Sequence, residues 1–418
     1  MGKILRNIQD SLLKEMNRNE ILILIGPRQI GKTTQLLELE SYLKVKGMNT
    51  IFFNLDFESD KKYFESQAIL LSKIELELGK NKGYVIIDEV QRKENVGLFL
   101  KGIYDKQLPY KWIVSGSGSL ELKEKIQESL SGRKRMYELN PVNFLEFFHY
   151  KTEYKYKNKE KQFFEIDVET RDLLFKEYLC FGGFPRIILD ETIQEKRRSM
   201  EEIYTSYMDR DIRDLGISKT REFSEMFQIL ASQSGKILNY NELSNSLNLS
   251  LQTTKQYLWY AEKTFQIDFS YPYFQNKRKE LTKSPIVYFR DIGFLNFSSG
   301  NFHIDLKTSD LGFIFQNFIF QYLRDKYRYE NVSLHYWRTK DGAEVDIIMK
   351  TPKEIIPIEI KYKHYKKPEL SRGFRSFLTH YQPHKALIIN LNYSHIIDIE
   401  STSVEFIPWY KMLTNAEI

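Results

Sequence analysis

The apolar residues of this chain change rhythm several times, and each change marks an element. Ile21-Leu-Ile-Leu-Ile25 is an unbroken apolar run ending in Gly26, which predicts a buried parallel strand. Before it, Ile4, Leu5, Ile8, Leu12, Leu13 and Met16 fall at helical spacing, and the stretch 34–43 continues a helix after it. The stretches 50–56, 83–91 and 112–119 read as further strands, so the N-terminal part alternates strand with helix. Residues 150–170 are dense in Lys, Glu and Tyr at no clear period and read as a charged insertion or lid hinge. Helical spacing resumes over 173–179 and stops at Gly182-Gly183-Phe184-Pro185, a loop on its chemistry because Pro185 disfavours helix at Phe184. A long charged helix is then predicted through Arg213.

Between about 221 and 282 three helical segments are separated by short turns and followed by a strand from Phe265, a pattern that resembles a winged helix-turn-helix. Ser250 is placed to cap the third helix, which puts Gln252, Thr253, Lys255 and Gln256 on its early exposed face, where a DNA reader presents side chains to base edges. Lys277-Arg278-Lys279 and Lys283 supply a basic wing tip. Many such modules instead pack only against protein. Residues 286–298 read as a strand and turn leading into the last domain, with an apolar helix over 312–323 and strands over 333–338, 343–349, 355–361 and 385–391.

The chemistry concentrates at Gly26-Pro27-Arg28-Gln29-Ile30-Gly31-Lys32-Thr33-Thr34, the spacing of a phosphate-binding loop between a strand and a helix. Its glycines let backbone N–H groups turn inward around phosphate oxygens, and the helix adds its positive N-terminal end. Lys32 is expected to reach the β/γ-phosphates and Thr33 to ligate Mg²⁺. Strand 83–91 carries Asp88-Glu89 at its C-terminal edge, where ligands of parallel sheets sit. Asp88 is the candidate for the Mg²⁺ shell and Glu89 for orienting or deprotonating the attacking water. Ser115 and Ser117 are candidates for polar contact with the γ-phosphate, or small residues serving a close turn. Arg133, after flexible Gly132, is the candidate arginine for the transferring phosphate, in cis or in a neighbouring subunit.

These residues, with Ile87-Asp-Glu-Val-Gln91, Leu130-Ser-Gly-Arg133, Leu139-x-Pro141-x-x-Phe144-x-Glu146, Gly182-Gly-Phe-Pro185 and Tyr207-x-x-Arg210-Asp211, resemble the predicted AAA-superfamily ATPases whose C-terminal region is a DUF4143-type domain. The resemblance covers most of the chain. It implies an ATPase core and a helical lid coupled to a C-terminal module, and it alone favours ATP over GTP, since no Asn-Lys-x-Asp segment follows the core. It implies no substrate. In the last domain Asp346, Glu359 and Lys361 fall on adjoining strands at the motif positions of the PD-(D/E)xK nuclease fold, which this region also resembles. Asp346 and Glu359 are the expected metal ligands and Lys361 the group that positions water. Members of that fold usually carry a glutamate on the first helix, where this chain has Gln316, one negative charge fewer. His380 and His384 have Pro383 between them, so no zinc pair is expected.

The reading is an α/β chain of P-loop sheet with helical lid, winged helix-turn-helix and restriction-endonuclease-like α/β domain, with boundaries at 1–150, 151–220, 221–285 and 286–418. The expected function is a Mg²⁺-dependent ATPase coupled to a DNA-associated module, an ATP-regulated nuclease being one form. The alternatives are an ATP-driven switch or scaffold whose last domain binds a protein partner, and a nucleotide-binding signalling protein with negligible turnover. Composition narrows the setting: 42% hydrophobic residues, a single cysteine, and no apolar run approaching membrane-span length point to a cytoplasmic chain without disulfides. A net charge of +6 permits nucleic-acid contact without demanding it. The pattern leaves the oligomeric state open.

Overall fold

The computed structural model describes residues 2–117, 129–211, 217, 219–274 and 283–414. A five-stranded parallel sheet opens the chain, built from β1 (Ile21–Gly26), β2 (Thr50–Asn54), β3 (Gly83–Asp88), β4 (Tyr110–Ser117) and β5 (Lys134–Glu138) in the order β2-β3-β4-β1-β5. β1 and β3 are buried along their whole length, as their uninterrupted apolar runs require of strands covered on both faces. The helix after β1 begins at Lys32, and Gly31 precedes it with φ of 95°, a left-handed conformation natural to glycine.

The helices that follow the sheet pack chiefly on one another. Phe144–Lys151 starts with a capping box, Asn143 accepting from the Glu146 backbone N–H while Glu146 accepts from that of Asn143. The segment read as a charged insertion is ordered instead: helix Glu160–Ile166 buries Phe163 and Phe164, two neighbouring apolar positions too few to register as a period. Helix Val168–Phe181 ends at the Gly-Gly-Phe-Pro loop, and the predicted long helix runs over Ile193–Ser206. Residues 212–216 and 275–282 lie outside the described residues. The end of the long charged helix predicted through Arg213 and the basic tip expected at 277–279 fall there.

Helices Thr220–Ser232, Tyr240–Ser246 and Leu251–Lys263 are followed by the antiparallel pair β6 (Ile267–Ser270) and β7 (Ile286–Phe289). The expected boundary at 286 falls inside this hairpin, since β7 pairs with β6, and the following helix Ile292–Ser298 packs on helix Val168–Phe181. The C-terminal sheet has the order β12-β13-β11-β10-β9-β8, from β8 (Ser333–Arg338), β9 (Glu344–Lys350), β10 (Ile355–Ile360), β11 (Lys385–Asn390), β12 (His395–Ile399) and β13 (Thr402–Pro408). Its β8 edge is covered by the chain leaving β6, with Tyr273 N–H donating to Tyr336 O at 2.6 Å and Tyr336 N–H to Tyr271 O at 3.2 Å.

Among the described residues, one of three apolar clusters joins the parts. A continuous apolar cluster runs from Leu22 and Leu24 through Phe144 and Phe175 to Phe318 and Trp409. Trp409, close to the C-terminus, stacks on Phe175 at 3.6 Å between ring centroids and meets Phe144 edge-on at 5.1 Å. Among the described residues no helix is long and apolar enough to cross a membrane.

Candidate functional site

Because β4 lies between β1 and β3, three side chains from different elements converge at the C-terminal edge of the sheet. Thr33 Oγ1 donates to Asp88 Oδ2 at 2.6 Å, and Ser115 Oγ donates to Asp88 Oδ1. The Glu89 backbone N–H completes the set with a 3.0 Å bond to Asp88 Oδ1. Asp88 is fully buried, and both of its carboxylate oxygens accept hydrogen bonds, Oδ2 from Thr33 alone, which leaves that oxygen capacity for a further partner. Lys32 is also buried, and its Nζ donates to the Gly26 and Pro27 carbonyls at 3.1 and 2.8 Å.

Around the loop, Ile30 is buried, Arg28 half-buried, and Gln29 and Thr34 exposed. Gln29 has φ of 59°, so the left-handed geometry of the loop is shared between it and Gly31. Gly26 cannot be replaced, since a Cβ there would lie 2.5 Å from the Leu139 carbonyl oxygen. Glu89 sits half-buried beside Asp88 with φ of 55°, and its carboxylate accepts from Gln91 Nε2. The backbone of Ser117 is level with Gly26 in the sheet, while Ser115 is the hydroxyl joined to the buried carboxylate. Arg133 is elsewhere. Its carbonyl accepts from Ile21 N–H at the start of β1, the edge opposite the loop, and its guanidinium pairs with Asp105 at 2.8 Å. The expectation that Arg133 reaches the same chain's phosphate is therefore corrected: β5 runs parallel to β1, so its beginning and the loop lie at opposite ends.

Residues that sequence reasoning left without a role brace this loop from behind. The guanidinium of Arg6 is buried and reaches the Ile30 carbonyl at 3.4 Å and the Asn140 carbonyl at 2.6 Å. Its Nε pairs with Glu146 Oε2 at 3.0 Å, which gives the Pro141-x-x-Phe144-x-Glu146 motif a physical purpose. Gly183 accepts from the Val142 N–H at 2.8 Å and donates its own N–H to Asp291 Oδ2 at 2.7 Å. Burial raises the Asp291 carboxyl to about 6, with backbone N–H groups pulling it partly back.

Two residues before Asn140, Glu138 ends β5 in a buried ionic knot. Its carboxylate accepts from Arg290, Arg324 and Arg328, while Asp268 holds Arg290 and Arg324 at 2.8 and 2.9 Å. Burial alone would raise the Glu138 carboxyl, but the three guanidiniums outweigh it and hold it far below the usual range. The nucleotide-site sheet is thus tied by charge to the hairpin β6–β7 and to helix Thr308–Lys326.

The second cluster forms where β9 meets β10. Lys361 Nζ lies 2.8 Å from Glu359 Oε1 and 4.0 Å from Asp346 Oδ2, so the predicted trio does come together. The donor set fits a metal poorly. Glu359 Oε2 accepts from Ser371 Oγ, Asp346 Oδ2 accepts from the Ile360 N–H, and Gln316 donates its amide to the Tyr288 hydroxyl. Among the described residues no group of three or more His, Cys, Asp or Glu gathers as metal ligands. Burial raises the Asp346 carboxyl to about 6, with Lys361 pulling partly the other way. Lys361 is raised in turn, its two carboxylates outweighing desolvation.

The third helix of the 221–285 segment is capped as expected, Ser250 accepting from Thr253 N–H at 3.0 Å. Gln252, Lys255 and Gln256 are exposed and Thr253 half-buried.

The loop, the buried aspartate at the end of β3 and the five-stranded parallel sheet have the arrangement of a phosphate-loop nucleotide-binding domain. Comparison with known families agrees: residues 18–148 match a family described as AAA domain, 172–304 a domain of unknown function (DUF8612) and 311–411 another (DUF4143). The chain is 24% identical over 417 residues to the uncharacterized protein Rv2008c of Mycobacterium tuberculosis, covering 99% of this chain and 85% of that one. It is 28% identical over 349 residues to the uncharacterized protein MJ1544 of Methanocaldococcus jannaschii, covering 81% and 74%. Among solved structures, Aeropyrum pernix Orc1 in complex with DNA aligns at a TM-score of 0.30 and 11% identity, over 72% of this chain and 93% of that one. AMPPCP-bound DnaA from Aquifex aeolicus aligns at 0.31 and 15%, over 72% and 96%. Likeness at that level does not bear on function.

Proposed function

We propose that the chain is a Mg²⁺-dependent ATPase that works as a switch, its nucleotide site acting on a C-terminal binding module. The observation that carries this is the junction of Thr33, Ser115 and Asp88 beneath a loop closed by Lys32. Thr33 and Asp88 present hard oxygen donors 2.6 Å apart, which suit Mg²⁺ held by one carboxylate, one hydroxyl and waters. The metal would neutralise charge on the β/γ-phosphates. Lys32 holds the phosphates, the N–H groups of residues 28–33 cradle them, and Ser115 fixes the orientation of Asp88. Glu89 orients the attacking water and takes its proton, after leaving Gln91. The arginine role proposed for Arg133 is retained only in trans, toward the site of a second copy. Ser117 remains a candidate γ-phosphate contact through its place level with Gly26.

The coupling partner is proposed to be DNA, met through the third helix of a winged-helix module at Gln252, Thr253, Lys255 and Gln256, with a protein partner as the alternative. A metal-dependent nuclease is the second reading, favoured by the meeting of Asp346, Glu359 and Lys361 and opposed by their occupied oxygens.

Phosphate release from ATP tests the first statement. Wild type should turn over, Glu89→Gln should bind the nucleotide and lose about 10²–10⁴-fold in rate, and Lys32→Ala should lose binding. Wild-type release no faster than that of Glu89→Gln would refute the ATPase. DNA cleavage in Mn²⁺ by wild type and not by Asp346→Ala would restore the nuclease reading.

A further inference from the structure

The corner around Lys361 is chemically lopsided. Between 361 and 375 the chain carries Lys361, Lys363, Lys366, Lys367, Arg372 and Arg375 against one carboxylate, Glu369, although the whole protein has 62 basic and 56 acidic residues. Lys361 and Lys363 are paired, with Glu359 and Glu369, each at 2.8 Å. Lys366, Lys367, Arg372 and Arg375 are all exposed, and among the described residues no salt bridge joins any of them to a carboxylate. Exposed pairs such as Lys73 with Glu77 and Arg221 with Glu225 occur elsewhere, as do exposed basic side chains outside any salt bridge, so what sets this corner apart is the density of six basic residues against one carboxylate in fifteen positions. A solvated face has no need of such an imbalance, whereas repeated phosphates do.

The rim is held in place by the fold. Ser371 caps helix Arg372–Tyr381 and donates its hydroxyl to Glu359 Oε2 at 3.1 Å, so this helix begins on the Glu359–Lys361 pair. Gly373 lets the helix lie directly on β9, since a Cβ there would come within 2.8 Å of the Glu344 nitrogen. On the other side, the Tyr365 N–H donates to Asn392 at 3.0 Å, and its buried ring meets Phe406 edge-on at 5.6 Å. Beside the rim a cleft of about 320 Å³ is lined by Arg338, Lys361 and Lys363 together with Gln316 and Asp346. Two carboxylates line this cleft: Asp346 accepts from the Ile360 N–H and lies 4.0 Å from Lys361, and Glu344 lies 3.8 Å from Arg338.

We propose that this corner is a metal-independent binding face for the phosphodiester backbone of nucleic acid, with Lys366, Lys367, Arg372 and Arg375 as its contacts. Asp346 Oδ2 and both Glu359 oxygens already have partners, whereas Lys366, Lys367, Arg372 and Arg375 stand outside any salt bridge among the described residues, with Glu369 near Lys367 as the one acidic residue of the segment. The face deepens the DNA reading above and rests on it, but it assigns the contact to the C-terminal sheet rather than to the third helix near 252–256.

The test is fluorescence anisotropy of labelled single-stranded and duplex DNA and RNA of one sequence, titrated with the full chain in EDTA across a range of salt. Wild type, Lys366→Ser/Lys367→Ser, Arg372→Ser/Arg375→Ser and Lys255→Ser/Gln256→Ala are compared, with ATP hydrolysis measured on each. Wild-type affinity should be unchanged by EDTA, and each double variant of the rim should lower the salt slope by about two while leaving ATP hydrolysis intact. Loss of binding only in the variant at 255 and 256 would overturn the face and keep the DNA reading. Binding that requires a divalent ion would overturn it in favour of a metal site. No nucleic-acid binding by wild type would overturn both, and tighter, rim-dependent binding to phosphatidylserine vesicles would assign the face to a membrane surface instead.

Discussion

Removing the Glu138 carboxylate should loosen the join between the nucleotide-site sheet and the C-terminal module. The perturbation is Glu138→Gln, which keeps the volume and one acceptor oxygen but leaves three guanidiniums without their shared charge. Breaking a buried charge network by removing one partner costs about 3–5 kcal/mol. Two features place this case at the lower end. Arg290 and Arg324 keep Asp268, and the Arg328 side chain is a quarter exposed and can turn to water. A loss of about 3 kcal/mol is therefore expected in urea unfolding followed by fluorescence and circular dichroism. The double variant Glu138→Leu/Arg328→Leu should recover part of it, since it removes the unpaired charge as well. The pH dependence carries the same signature. A carboxyl held below its ordinary value of 4.5 stabilises the fold fully above that pH, and the contribution drains away as the pH falls toward the folded value. Wild type should accordingly lose stability below pH 4.5 more steeply than Glu138→Gln. A loss under about 1 kcal/mol, the range of exposed pairs, with no difference in acid sensitivity would refute the reasoning.

Asp291 gives the opposite slope. Its folded value near 6 exceeds the ordinary 3.8, so the folded state binds the extra proton and stability falls as pH rises through that window. Asp291→Asn, which cannot ionise, should gain on wild type by up to about 3 kcal/mol between pH 4 and 7, read from urea midpoints; a flat difference would remove the effect. Trp409→Ala should cost about 3–5 kcal/mol and expose Phe144 and Phe175, measurable as a lowered midpoint for the whole chain because the core is shared. A variant that lowers only a late, separate transition would mean the C-terminal module unfolds alone. Gly183→Ala should weaken nucleotide binding, as a Cβ there would stand 2.3 Å from the Val142 carbonyl in the strut behind the loop, and unchanged ATP affinity would argue against that strut.

Much of the nucleotide site is local, and so the sequence by itself determined it. An apolar run followed by glycines, Lys32 and Thr33 can only be a covered strand turning into a helix, and an apolar strand closing on Asp88 must present that carboxylate at the same edge. Alternation along β10 likewise put Glu359 and Lys361 on one side, and β9 brought Asp346 to them. What the tertiary structure decided were relations between strands distant in sequence. Only the order β2-β3-β4-β1-β5 shows Ser115 reaching Asp88, and only the parallel register of β5 puts Arg133 at the far end of the sheet. Arg6 with Glu146, and Glu138 with Arg290, Arg324 and Arg328, are separated by 140 to 190 residues, and no periodicity records such a partnership. The same holds for the metal expectation at Asp346: composition supplied the carboxylates and Lys361, but folding supplied the Ser371 hydroxyl and the Ile360 N–H that bond to them. A motif fixes which groups are present near one another along the chain, whereas the packing of remote elements fixes what charge and hydrogen-bonding capacity those groups have left to use.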